Sequence, residues 1–215
     1  KERVPATLEL AFLSISISFL LSVMLGTLAA SRVNSAWDRI SATLSLLGQS
    51  LPSFWVGIML VLVFSRFLKL LPTSGRGGIA HLIMPLVTTS LPLLGVTTRL
   101  VRSSLIETLY EDYIRTAYAK GLKQKVVLIR HALRNSLLSV ITFVSLQLGH
   151  LLGGVVVIET VFAWPGLGKL TIDSILRRDY PVIVFSVIML SGIFMLINLV
   201  VDIIYVYLDP RIKLM

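Results

Sequence analysis

Few side chains here stand where chemistry would need them. The three histidines, His81, His131 and His150, fall in separate segments with no second histidine or carboxylate at ligand spacing, so no metal site is expected from this chain. The absence of cysteine removes thiolate ligands, thiol nucleophiles and disulfides. Gly166-Leu167-Gly168-Lys169-Leu170-Thr171 superficially has the look of a nucleotide loop. Such a loop needs Gly, four residues, then Gly-Lys followed at once by Ser or Thr. Ala163 stands where the first glycine belongs and Leu170 follows the lysine, so the string reads as a turn after Trp164-Pro165. Neither paired carboxylates nor a Ser-His pair at a shared depth is visible, so no catalytic residue and no cofactor-binding residue is expected. Any energy for work done by this chain must come from another chain or from an ion gradient.

The polar groups that remain are buried in apolar surroundings. Gln147 and His150 lie one helical turn apart in an apolar stretch, where polar side chains are costly and often functional; a hydrogen bond to each other or to a neighbouring helix is the structural alternative. Asp202, near Asn198, must face protein or water, since a carboxylate at a helix centre costs about 3 kcal/mol on insertion scales. Glu9 and Glu159 sit near the ends of apolar stretches, where hydration lowers the penalty, and receive no role. Gly149 and Gly153 form a small-xxx-small pair suited to close helix packing.

The elements that must position these groups are membrane helices. The chain is 55% hydrophobic and 14% charged with a mean hydropathy of +0.88, against roughly 25% charged residues in soluble domains. Five apolar stretches, at about 6–30, 40–65, 82–101, 136–160 and 182–208, are long enough to cross about 30 Å of hydrocarbon. No linker or composition shift divides residues 1–215, so one all-α domain, a polytopic membrane helical bundle, is expected. The segment 102–135 carries Arg102, Arg115, Lys120, Lys123, Lys125, Arg130 and Arg134 against Glu107, Glu111 and Asp112, and the positive-inside rule makes it cytoplasmic. The C-terminal tail from Asp209 to Lys213 is then also cytoplasmic, the start lies outside, and 66–81 and 161–181 are outer segments. The net charge of +9 fits membrane orientation and an acidic partner surface; no nucleic-acid-reading motif accompanies it.

Pro52 falls in the second stretch and Pro85 and Pro92 in the third; each removes a backbone donor and favours a kink. Thr88, Thr89, Ser90, Thr97 and Thr98 beside them are candidates to line a path, and equally candidates for hydrogen bonding within a packed bundle. In the basic segment, Ile114, Ala117 and Tyr118, then Val126, Leu128 and Ile129 after Gly121, give two short amphipathic helical faces. Such helices lie at a membrane surface, against a soluble partner or against anionic lipid.

That segment resembles the coupling motif of ABC importer permeases, whose general pattern is Glu-Ala-Ala, three residues, Gly, nine residues, Ile-x-Leu-Pro. Arg115-Thr116-Ala117, Gly121 and His131-Ala132-Leu133-Arg134 occupy those positions. Arg115, Thr116, His131 and Arg134 depart from the general motif, yet Arg-Thr-Ala-x-Ala-Lys-Gly-Leu followed by Arg-His-Ala-Leu-Arg-Asn is similar to the form used by the dipeptide, oligopeptide and nickel subfamily. The outer stretch from Val157 to Gly168 and Arg178-Asp179-Tyr180-Pro181 is similar to that subfamily as well, and within it the chain resembles the first of two permeases. The resemblance implies a type I ABC importer transmembrane domain with five transmembrane helices here plus short coupling helices. Such permeases carry one more N-terminal helix and an outer segment before the region of Lys1, so an N-terminally truncated chain is expected.

Function follows from the same resemblance: a permease subunit of an ATP-driven, binding-protein-dependent importer of peptides, or of a related solute such as glutathione or a nickel chelate. The implied partners are a second homologous permease, two cytoplasmic ATPase subunits carrying ATP and Mg, and an extracytoplasmic solute-binding protein. The setting is a bacterial or archaeal inner membrane. Coupling would run through Arg115, Thr116, Ala117, Gly121, His131, Leu133 and Arg134, and the path past Thr88, Thr89, Ser90, Gln147 and His150. The alternative is a gradient-driven secondary transporter or channel in which Asp202, His150 and Gln147 handle the ion.

Overall fold

The computed structural model describes residues 2–208, with the side chains of His150, Leu152, Asp202 and residues 204–208 left outside that description. The expectations placed on the His150 and Asp202 side chains and on the tail after residue 208 therefore lie outside the described residues. The described chain is helical: α1 (Arg3–Ser31), α2 (Ala36–Ser50), α3 (Ser53–Leu60), α4 (Ile79–Leu109), α5 (Asp112–Ala119), α6 (Gln124–Val126), α7 (Arg134–Val161), α8 (Leu167–Arg177) and α9 (Tyr180–Leu208), with π-helical turns at Val61–Phe67 and Val127–Leu133. Four helical stretches are by themselves long and apolar enough to cross a membrane, Arg3–Ser31, Ile79–Leu109, Gln124–Gly149 and Tyr180–Val201. The second apolar stretch becomes the fifth as a bent pair, Ala36–Ser50 and Ser53–Phe67, which meet at 101°.

The prolines act differently at their three sites. Pro52 caps α3 with an extended ψ of 130°, and the helix breaks there outright, where sequence suggests a kink. Pro85 and Pro92 lie inside an α4 that runs unbroken for 31 residues. A proline at a helix start loses a donor that is orphaned anyway, whereas one inside a long helix must be accommodated by its neighbours, and α4 has neighbours on most of its surface. It is the central helix, packed against α1, α2, α3 and α7.

Small residues let those neighbours approach. Ser14, Ser18, Ser22, Gly26 and Ala30, spaced four apart along α1, are all buried, and Ser22 donates to the Leu94 carbonyl of α4 at 3.1 Å. A Cβ on Gly26 would stand 2.6 Å from the Val101 Cβ. On the other side of α4, a Cβ on Gly95 would meet the Ser45 carbonyl oxygen at 2.5 Å, and one on Gly48 the Leu91 carbonyl oxygen at 2.6 Å. Lipid tails provide no hydrophobic drive between helices, so backbone approach of this kind holds a membrane bundle together. In α7, Gly149 makes room for the side chains of Phe194 and Asn198 of α9, while Gly153 meets nothing within 4 Å.

The basic segment is more continuous than its sequence suggests. α4 extends to Leu109, α5 is a separate short helix, and the second expected surface helix merges through α6 and the π-helical turns into α7. Hydropathy stops at the edge of the apolar stretch, but a helix continues while its backbone donors find carbonyls, and nothing between Gln124 and Arg134 interrupts that ladder.

Candidate functional site

Two regions of the bundle gather the sequence candidates. At the basic end, α5 is fastened by its inner face: Ile114 and Ala117 are buried in a cluster with Ala30, Leu105, Val127 and Ala132. The Asn135 amide donates to the Tyr113 hydroxyl at 2.8 Å, tying α5 to the start of α7. Gly121 has φ +78°, the left-handed conformation that favours glycine. The Gly121 N–H bonds the Tyr118 carbonyl at 2.9 Å and the Leu122 N–H the Ala117 carbonyl at 3.4 Å, which is a Schellman termination. The outer face stays open: Arg115, Thr116, Tyr118, Lys120 and Gly121 are exposed, and Arg115 makes only a surface contact with Asp112 at 3.4 Å. His131 and Leu133 are half-buried in the π-helical turns and Arg134 is exposed. The result is a rigid knob whose inner side is packed and whose outer side carries a basic, aromatic surface.

Midway along the bundle, a cleft of about 270 Å3 is lined by Gln49, Ser53, Thr89, Pro92, Leu93, Val96, Gln147, Leu151, Gly154 and Ile158. It opens where the chain breaks at Pro52, so the 101° bend brings Gln49 and Ser53 opposite Thr89 and Gln147. Thr88 and Ser90 are buried in α4 outside this lining, and the hydroxyls of Thr88, Thr89 and Ser90 fold back on the carbonyls of Met84, Pro85 and Leu86. Thr97 and Thr98 are buried with hydroxyls unpartnered among the described residues.

Three polar side chains with little prominence in the sequence, Glu159, Trp164 and Asp38, prove central. Glu159, expected at a hydrated edge, is fully buried. It accepts the Thr7 hydroxyl at 2.5 Å and the Lys169 N–H at 2.9 Å, while Thr7 accepts the Leu167 N–H at 2.8 Å. The side chain thus caps the donor-rich N-terminus of α8. Gly166, which lacks a side chain, leaves it room: a Cβ there would overlap the Glu159 carboxylate. The Gly166–Thr171 string is accordingly the start of a helix built on a buried acid. Trp164, also fully buried, donates its indole N–H to the Ala6 carbonyl at 2.9 Å. Arg76 of the adjoining loop lies over its ring at 5.7 Å and pairs with Glu9. At the basic end, Asp38 opens α2 through a cap in which Ser35 accepts its N–H at 3.3 Å, and both its carboxylate oxygens take the Arg102 guanidinium, at 2.6 and 2.8 Å. Capping residues before an acidic first turn are the only local signal for this pair.

Among the described residues no cluster of three His, Asp or Glu side chains is placed to hold a metal ion. The geometry offers a packed bundle with a cleft, a break at its edge and an exposed knob on one end.

Known proteins share both sequence and architecture. The dipeptide transport system permease protein DppB of Escherichia coli (strain K12) is 38% identical over 242 aligned positions, covering 98% of this chain and 71% of the relative. The glutathione transport system permease protein GsiC of Salmonella choleraesuis is 44% identical over 207, covering 96% and 68%. A probable peptide ABC transporter permease, y4tP of Sinorhizobium fredii, is 40% identical over 220, covering 99% and 70%. Among solved structures, an inward-facing conformation of the MetNI methionine ABC transporter aligns with a TM-score of 0.78 at 18% identity over 97% of this chain and 95% of that one. An amino acid ABC transporter with histidines aligns with a TM-score of 0.74 at 9% identity, over 95% and 91%; at such identities the likeness concerns the fold. Residues 22–214 match the family described as binding-protein-dependent transport system inner membrane component, and the chain belongs to that family of ABC importer permeases.

Proposed function

We propose that this permease subunit imports peptides, or a related small solute such as glutathione, with a second similar permease, two ATPase subunits and a solute-binding protein. The names of its relatives, dipeptide, glutathione and peptide permeases, support the substrate class. The basic end is the cytoplasmic one, consistent with the excess of Lys and Arg there, and ATP is hydrolysed on the partner subunits.

The observation that carries the mechanism is the α5 knob. Its inner face is locked by Ile114 and Ala117 and its end fixed by the Gly121 termination, so a partner gripping the exposed face moves the bases of α4 and α7 with it. The midplane cleft lies between those helices and the Pro52 break, and displacing them changes which end it opens toward. One domain, 1–215, carries both the cleft and the knob.

The test is reconstitution of the full-length protein with its partners in proteoliposomes, measuring ATP hydrolysis and peptide uptake together. Gly121→Val forces a β-branched side chain into left-handed backbone and misplaces the knob. The expected outcome is ATP hydrolysis that persists while uptake falls at least about tenfold, a coupling loss of about 1.4 kcal/mol or more. Full uptake in this variant refutes the coupling role, and uptake driven by an ion gradient without any ATPase refutes the importer reading.

A further inference from the structure

A strongly basic hollow remains that neither the knob nor the midplane cleft uses. It lies between the start of α2 and the last turns of α4, holds about 850 Å3, and has Asp38, Arg39, Arg99 and Arg102 in its walls. Three guanidinium groups and one carboxylate therefore line it. Asp38 gives both oxygens to Arg102 and also accepts the Asn34 N–H at 2.9 Å, so that pair is closed. Arg39 and Arg99 enter no ion pair among the described residues.

Arg99 is the informative one. It stands two residues from the end of the third apolar stretch, where an arginine must face protein or water. It is exposed, and it donates to the side-chain oxygen of Gln49. Gln49 lines the midplane cleft, Arg99 lines the basic hollow, and Val96 lines both, so the Arg99 and Gln49 contact sits at their junction. A neutral amide oxygen orients the guanidinium, yet it is a weaker acceptor than a carboxylate, whose charge-assisted hydrogen bonds are about twice as strong. An arriving carboxylate can displace Gln49, whereas displacing Asp38 from Arg102 would strand a buried charge.

We propose that Arg99, with Arg39 in the same hollow, is an anion site on the solute's route that takes the α-carboxylate of a peptide as it leaves the midplane cleft. This rests on the peptide-importer reading above. Gln49 holds the site ready when it is empty and yields when it fills.

The experiment uses the whole transporter with its partners in proteoliposomes. ATP-dependent uptake of alanyl-alanine and of alanyl-alanine amide is measured, each rate divided by the amount of that peptide held by the binding protein. Arg99→Gln is expected to slow the free acid about tenfold, as loss of one charge-assisted contact implies, and to leave the amide within about twofold; Arg99→Lys retains part of the rate. Gln49→Glu gives Arg99 a permanent carboxylate, so it is expected to slow the free acid as well, whereas a purely structural contact would leave uptake unchanged. Parental uptake in both Arg99→Gln and Gln49→Glu overturns the proposal, as does equal slowing of acid and amide. An effect confined to vesicles containing phosphatidylglycerol makes the hollow a lipid headgroup site and also overturns it. If the parent imports neither peptide while its binding protein still stimulates ATP hydrolysis, the peptide reading fails and the proposal with it.

Discussion

Replacing Glu159 by alanine removes the acceptor for two donors, the buried Thr7 hydroxyl and the part-buried Lys169 N–H. At about 1–3 kcal/mol for a buried donor left without a partner, and the low end of that range for the part-buried one, the expected loss of stability is about 2–4 kcal/mol. Glutamine preserves the shape but only one accepting oxygen, so one of the two donors meets an amide N–H instead and the loss falls to about 1–3 kcal/mol. For a chain of this size each kcal/mol moves the midpoint by about 2–4 °C, so Glu159→Ala should lower Tm by at least about 4 °C and Glu159→Gln by roughly half that. Thermal unfolding of the purified protein in detergent, followed by tryptophan emission in a background with Trp37 and Trp55 replaced by Phe, reports on this region, because the Trp164 backbone N–H bonds the Glu159 backbone carbonyl at 2.8 Å and its ring is buried. The order parent, glutamine, alanine is the signature of a capping acceptor. An alanine variant within about 1 °C of the parent refutes the argument that α8 is built on this acid.

Three further outcomes follow from packing and pairing. Gly95→Leu drives a side chain into the Ser45 carbonyl across the interface of α2 and α4 and is expected to destabilise by about 1–3 kcal/mol or more, read as a lower Tm and faster proteolysis near the Pro52 break; Ala at the same position should show the effect in milder form. Asp38→Ala leaves the Arg102 guanidinium without its carboxylate, and because Arg102 is one-third exposed water recovers part of the loss, so about 1–2 kcal/mol is expected. A double-mutant cycle with Arg102→Ala in the same assay checks it, and zero coupling energy would contradict the observed pair. Trp164→Phe keeps most of the apolar volume but loses the bond to the Ala6 carbonyl, a change of about 1 kcal/mol that hydrogen exchange at the start of α1 should register.

Hydropathy made the helical bundle legible, because a run of apolar residues reports distance from water. It says little about partners. The four-residue spacing of Ser14, Ser18, Ser22 and Gly26 is a packing stripe, but serine in an apolar run scores merely as a polar interruption. Glu159 lies near a span end, where water is the default partner for an acid, and only the fold brings Thr7 to it from 152 residues away and turns the N-terminus of α8, ten residues on, back onto it. Arg99 falls at the margin of an apolar stretch, where a positive charge reads as orientation, while its contact with Gln49 depends on how α2 meets α4. Pro52, Pro85 and Pro92 are identical in sequence terms, yet one breaks a helix and two do not. Gly121 was the easiest to read, since a glycine after a short amphipathic run carries its termination locally.

The merger of the basic surface with α7 has a mechanical meaning. From Gln124 to Val161 the backbone is helical without interruption, a length of roughly 55 Å at 1.5 Å per residue. His131 and Arg134 stand near one tip of this lever and Glu159, with α8 hung from it, at the other. A tilt of about 5° about one tip sweeps the other through about 5 Å, close to the pitch of one helical turn. On the importer reading proposed above, work delivered at one end of the bundle reaches the other as displacement, through one continuous helix and without a relay of intervening contacts.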